Sequence, residues 1–97
     1  MAGSEPRSGA GRRRYRVELT PSAARQLREL DPQVGRRIAG AIELLALDPR
    51  PPASRQLRGR PGYRVRIGDW RVIYTVEDDV LLVLVLRLGH RKDVYDG

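Results

Sequence analysis

The sequence predicts a single α+β domain: an N-terminal strand, a helical hairpin, then three antiparallel strands. The expected sheet is four-stranded and mainly antiparallel, in the order 1-4-3-2, with the helices on one face. Three observations predict it. Thr20-Pro21 and Asp31-Pro32 each stand before a stretch of helical apolar period. Three β-prone segments then follow, separated by short turns. The last of these contains VLLVLVL (80–86), apolar on both parities, as expected of a strand inside a sheet.

Residues 1–14 are rich in Gly, Ser and Arg without periodicity and read as a disordered basic tail; residues 15–97 form the domain. YRVELT (15–20) alternates and is the first strand. Thr20 and Pro21 supply an N-cap and first-turn proline for a helix running to about Leu30, with Ala23, Ala24, Leu27 and Leu30 inward. Asp31-Pro32 repeats the signal, and Val34, Ile38, Ala41, Ile42 and Leu45 recur at helical spacing until Pro49. Gly35 and Gly40 weaken this second helix by about 1 kcal/mol each if exposed.

Prolines and glycines make residues 48–62 a loop, pinned to the core by Leu57. Strands are expected at Tyr63–Ile67, Trp70–Val76 and Val80–Leu88, around turns at Gly68-Asp69 and Glu77-Asp78-Asp79. Short turns make these three antiparallel neighbours. The last becomes interior only if the first strand lies on its other side. Val65, Ile67, Trp70, Val72, Tyr74 and Val76 share the parity that takes the helices. Arg64, Arg66 and Arg71 share the other, a face left open.

Composition narrows the function. The chain has 97 residues, 40% hydrophobic and 32% charged, as in a soluble globular protein. Aromatics make up 5% with no Phe, so the core is aliphatic. With no Cys and one His, disulfides, thiolate metal sites and imidazole clusters are excluded, and neither metal nor cofactor is expected. No apolar run approaches the roughly 20 residues of a membrane span, and the N-terminus lacks a secretory signal, so a cytoplasmic protein is expected. The net charge of +7 suggests a polyanionic or acidic partner. Between Arg50 and Arg71 stand seven arginines and one acid, Asp69.

LRLGHRKDVYDG (86–97) adds His90, Arg91, Lys92 and Tyr95 near one end of the same sheet. Together with Arg64, Arg66 and Arg71 they make a basic cluster with one phenol and one imidazole. Guanidinium groups hold phosphates by bidentate hydrogen bonds. Tyr95 can stack on a base or donate a proton. Arg55, Arg58 and Arg60 are further candidates for phosphate contact, or solvated loop charges.

LRGRPGYRVRIGDWRVIY, VLLVLVL and LGHRKDVY, in that order and spacing, resemble the RelE/ParE superfamily of toxins from bacterial type II toxin–antitoxin modules. The resemblance covers residues 15–95. It implies one of two activities: RelE-like members cut messenger RNA in the ribosomal A site, and ParE-like members poison DNA gyrase. Five positions match the RelE-like nuclease pattern: Arg64 and Arg66, Arg71 after the aromatic that opens its strand, Arg91 after the glycine of the last strand, and Tyr95. The implied mechanism is metal-free attack of a ribose 2′-OH on the adjacent phosphate. Arg71 and Arg91 would stabilise the phosphate, and Arg64 and Arg66 would hold the backbone. Tyr95 would orient or activate the 2′-OH or stack on the base; His90, the one side chain of a type that ordinarily titrates near neutrality, is a candidate proton carrier or else a surface or capping residue. Arg55, Arg58, Arg60 and Lys92 are candidates for RNA contact by their charge alone. The implied partners are the ribosome, mRNA and a cognate acidic antitoxin in a hetero-oligomeric complex. A ParE-like gyrase inhibitor and a non-catalytic RNA-binding module are the alternatives.

Overall fold

The computed structural model describes residues 14–91. Residues 1–13 of the expected tail, and Lys92 and Tyr95 of the expected site, lie outside the described residues. The chain runs β1 (Arg16–Leu19), α1 (Pro21–Glu29), α2 (Pro32–Leu44), β2 (Ser54–Gln56), β3 (Tyr63–Ile67), β4 (Trp70–Glu77), a 3-10 turn (Asp78–Val80) and β5 (Leu82–His90).

The caps form as their residue types dictate. The Thr20 hydroxyl accepts from the Ala23 N–H at 3.1 Å, and Asp31 accepts from the Gln33 N–H at 3.1 Å. A proline opens each helix. The helical hairpin lies on one face, where Ala23, Ile38, Ile42 and Leu45 pack against Val65, Val72, Tyr74, Val83, Val85 and Leu88. Among the described residues no helix is long and apolar enough to cross a membrane.

The expected four-stranded sheet is corrected to five strands, in the order β1-β5-β4-β3-β2. Ser54–Gln56, expected within a loop, is an edge strand pairing antiparallel with β3: Ser54 with Val65, Arg55 with Arg64, Gln56 with Tyr63. Its backbone ladder makes it a strand; three polar residues between prolines and glycines carry no alternating signal. Polar edges also resist unwanted pairing. β1 runs parallel to β5, and the other three pairs are antiparallel.

The register between β4 and β5 shifts after Ile73: Ile73 pairs with Arg87, while Tyr74 pairs with Val85. Leu86 is the extra residue of a β-bulge. Before it, Val83 and Val85 face the helices; after it, Leu88 does. The bulge therefore shifts the alternation of β5 by one. Without it, Arg87, Gly89 and Arg91 would share the parity of Val83 and Val85, toward the core.

Candidate functional site

The strand register assembles the arginines in two rows. One row crosses four strands as Arg55, Arg64, Ile73 and Arg87. The neighbouring row holds Arg66, Arg71 and Gly89. Both lie on the face away from the helices. Arg91 follows two residues after Gly89, beyond the end of β5.

Several contacts fix these positions. β1 pairs only with Leu82–Val85, so the outer side of β5 beyond Val85 needs other partners. The Thr20 N–H donates to the Val85 carbonyl at 3.0 Å, and its hydroxyl donates to the Leu86 carbonyl at 2.6 Å. The Gln26 amide donates to the Leu88 carbonyl at 2.9 Å and accepts from the Leu88 N–H at 2.9 Å. One side chain thus does the work of a neighbouring strand. At the far end of β5, the Arg91 N–H donates to the Asp69 carbonyl at 2.7 Å, and the Arg91 guanidinium stands 3.5 Å from the Asp69 carboxylate. Both side chains are exposed, so this pair orients Arg91 more than it stabilises the fold. Gly68, at φ 62°, makes the tight turn possible. A side chain there would meet the Arg37 guanidinium at 3.3 Å, so Arg37 of α2 overhangs this turn.

The chain ahead of β2 is held by a second set. The buried Tyr74 hydroxyl donates to the Pro49 carbonyl at 2.7 Å, and burial pushes its pKa up to about 12. Arg50 donates to Asp78 at 2.7 and 3.3 Å and to the Tyr63 hydroxyl at 2.9 Å. The Tyr15 hydroxyl donates to the same carboxylate at 2.5 Å. Hydrogen bonds from Arg50, then Tyr15, hold the Asp78 carboxyl below its usual range, and the bond to Asp78 raises Tyr15. Arg50, within the arginine-rich stretch, is thereby a structural residue. Arg55 is oriented by bonds from its guanidinium to the Pro52 and Ser54 carbonyls, both at 2.9 Å.

The result is a crowded positive face. Arg55 stands directly opposite Arg64, and Arg66 opposite Arg71. Like charges so placed repel, and a bound anion relieves that repulsion. A shallow cavity of about 170 Å³ opens among Ala53, Arg55, Arg64 and Arg66. Ile73, in the midst of this face, is only 2% exposed. Its cross-strand neighbours are the half-buried Arg64 and Arg87, whose aliphatic stems can cover it while their heads reach water.

Of the expected site residues, Arg55, Arg64, Arg66 and Arg71 come together on this face, with Arg91 at its end. His90 does not join them by register. It pairs with Trp70, on the parity of Leu88 and Val72, and its ring meets the indole edge-on at 5.1 Å between centroids. Arg58 and Arg60 are exposed in the connection between β2 and β3. Arg87 is the residue that sequence reasoning missed. Its signal was the switch of buried apolar parity from Val83 and Val85 to Leu88. Among the described residues no three His, Cys, Asp or Glu stand together as a metal site.

A family model described as the ParE toxin of the type II toxin–antitoxin system parDE matches residues 17–95. The chain is similar to Toxin RelG of Mycobacterium tuberculosis, 32% identical over 88 residues, covering 84% of this chain and 95% of that protein. Among solved structures it is similar to the toxin–antitoxin complex RelBE2 of Mycobacterium tuberculosis, at TM-score 0.74 and 27% identity, covering 84% of this chain and 95% of that one. It is also similar to the archaeal RelE–RelB complex of Pyrococcus horikoshii OT3, at TM-score 0.69 and 29% identity, covering 79% of this chain and 94% of that one.

Proposed function

The chain belongs to the RelE/ParE superfamily of type II toxin–antitoxin toxins, and from that premise we propose that it is a ribosome-dependent endoribonuclease cutting mRNA in the A site. The observation that carries this reading is the convergence of Arg64, Arg66 and Arg71 on one sheet face, with Arg91 at its end. The face suits a polyanion whose charge grows during reaction.

In the proposed reaction a ribose 2′-OH attacks the adjacent phosphorus. The bond to the 5′-oxygen breaks, leaving a 2′,3′-cyclic phosphate on one fragment. The departing oxygen takes up a proton as the 2′-OH gives one up. Arg71 and Arg91 stabilise charge on the pentavalent phosphate, and Arg64 and Arg66 hold the backbone. Arginine stays protonated, so it stabilises charge rather than carrying protons. Tyr95 orients or activates the 2′-OH, or stacks on the base. The ribosome supplies positioning that so small a site lacks. No metal takes part in this scheme, because the arginines provide the cations. The toxin would work in the cytoplasm, where ribosomes are.

A cognate antitoxin is the proposed partner, because the similar RelBE2 and RelE–RelB structures are complexes with one. An apolar groove of about 410 Å³, lined by Leu44, Leu47, Pro51, Ala53 and Ile67 among others, leaves Leu44 64% and Leu47 39% exposed. Such a patch suits coupled folding of a disordered segment.

The second reading, gyrase inhibition, is favoured by the match to the ParE family model. One pair of reactions separates them: purified toxin with a translating ribosome and defined mRNA, and the same toxin with gyrase and supercoiled DNA. The nuclease reading expects ribosome-dependent cuts and untouched DNA. Trapped, cleaved DNA beside intact mRNA would replace it with the gyrase reading. Binding without either product would leave only an RNA-binding module.

A further inference from the structure

We infer that Arg87 is a further phosphate-binding residue of this face, and that the RNA backbone crosses the sheet transversely along the row Arg55–Arg64–Ile73–Arg87. The inference rests on the nuclease reading for its substrate and on the strand register for its path.

The β5 bulge is the first argument. It shifts the alternation of the strand so that Leu88 enters the core and Arg87 faces the other arginines. Bulges beside functional sites re-aim side chains in this way. The backbone on both sides of Arg87 is then clamped: the Leu86 carbonyl by Thr20, and both polar groups of Leu88 by Gln26. Two side chains of the helical layer thus fix the position of one arginine on the opposite face.

Charge is the second argument. Arg16, Arg50 and Arg91 have carboxylate partners. Among the described residues Arg87 has none, although it is half-buried and held in a row with other cations. A half-buried guanidinium with no carboxylate partner among the described residues is placed to take an anion. Geometry sets the direction. At about 4.8 Å between strands, the row from Arg55 to Arg87 spans roughly 14 Å. That length accommodates more than one phosphate, with guanidinium groups at both ends and the apolar Ile73 between. The neighbouring row ends at Gly89, which has no side chain with which to hold a phosphate. A cationic groove that follows the backbone is how single strands are bound without base readout.

The test uses full-length toxin, an Arg87→Gln variant, the charge-keeping Arg87→Lys, and Arg36→Gln as a control that removes one charge from exposed α2. Binding is measured to a twelve-nucleotide RNA carrying 2′-O-methyl groups, which cannot be cut by its own 2′-oxygens, across a salt series. Cleavage of mRNA on programmed ribosomes is measured beside it. Arg87→Gln is expected to weaken oligonucleotide binding three- to tenfold and to lower the salt slope by about 0.7, the value for one phosphate contact on a single strand. Arg87→Lys should restore the slope, and Arg36→Gln should change it little. On ribosomes, Arg87→Gln should raise KM more than it lowers kcat.

An unchanged slope in Arg87→Gln, or an equal loss in Arg36→Gln, would overturn the inference. The nuclease reading fails separately: if wild-type toxin leaves mRNA intact while oligonucleotide binding still depends on Arg87, the track stands without the reaction.

Discussion

Gln26→Met removes the side chain that pairs with both backbone polar groups of Leu88 on the outer side of β5. Methionine has similar length but cannot supply the amide donor and acceptor. Two bonds of 2.9 Å are lost, and the N–H and C=O of the buried Leu88 lose their partners. Each bond contributes about 1 kcal/mol net, and an unsatisfied buried group adds to the cost, so the loss is about 2–3 kcal/mol. For a domain of this size that lowers the melting temperature by roughly 8–24 °C. Urea and thermal unfolding followed by far-UV circular dichroism measure both. Gln26→Glu sharpens the test. Its carboxylate keeps the acceptor for the Leu88 N–H but meets the Leu88 carbonyl without a proton to offer. The protonated acid restores the donor, so its folded-state pKa is raised above the usual value near 4.3. The bond's stability is then fully present below the unfolded pKa and lost as pH rises through the folded one. A loss under about 0.5 kcal/mol in Gln26→Met, or a Gln26→Glu deficit that does not shrink in acid, would refute the claim that Gln26 anchors this strand.

Three further outcomes follow from particular contacts. Arg66→Gln removes the repulsion with Arg71 directly opposite and should stabilise the fold by about 0.5–1 kcal/mol at low salt while reducing RNA cleavage. The gain should vanish near 1 M salt, where the Debye length is about 3 Å, and a destabilised variant at low salt would contradict it. Tyr74→Phe, which strands the Pro49 carbonyl, should cost about 1–2 kcal/mol at pH 7. Because burial raises the Tyr74 pKa to about 12, its stability is fully present below the unfolded value near 10 and lost as pH rises through about 12; the Phe variant should show a shallower alkaline decline in a pH series of melting curves. Gly62 has φ 121°, and a Cβ there would stand 2.9 Å from the Tyr74 carbonyl oxygen, so Gly62→Ala should destabilise by about 2 kcal/mol or more in denaturant titration.

The helical hairpin was legible because its signals are local. Thr20-Pro21 and Asp31-Pro32 mark both starts, and each capping bond forms. The inward parity of Val65, Val72 and Tyr74 was equally plain, since it follows from alternation alone. Two features were not legible. β2 exists only through its ladder with β3, and Ser-Arg-Gln carries no apolar pattern to announce it. That missing strand is what sets Arg55 opposite Arg64. The β5 bulge was hidden because an apolar run on both parities is also what burial on two faces produces. Once Leu86 is recognised as the extra residue, the same run divides into core positions at Val83 and Val85 and another at Leu88. Arg50 shows the limit of counting charges. It belongs by sequence to the arginine-rich stretch but is committed to Asp78 and Tyr63.

The most direct test of the central claim is single-turnover cleavage of a defined mRNA on programmed ribosomes, mapped by primer extension, for wild type, Arg71→Ala and Arg36→Ala. Arg71 lies in the arginine face and Arg36 on the helical layer, and each substitution removes one charge. The account predicts A-site cuts by wild type and by Arg36→Ala, slowed by about 10²–10³-fold in Arg71→Ala, as for loss of one group that stabilises transition-state charge. Intact mRNA with folded wild-type toxin, or equal rates in the two variants, would contradict it.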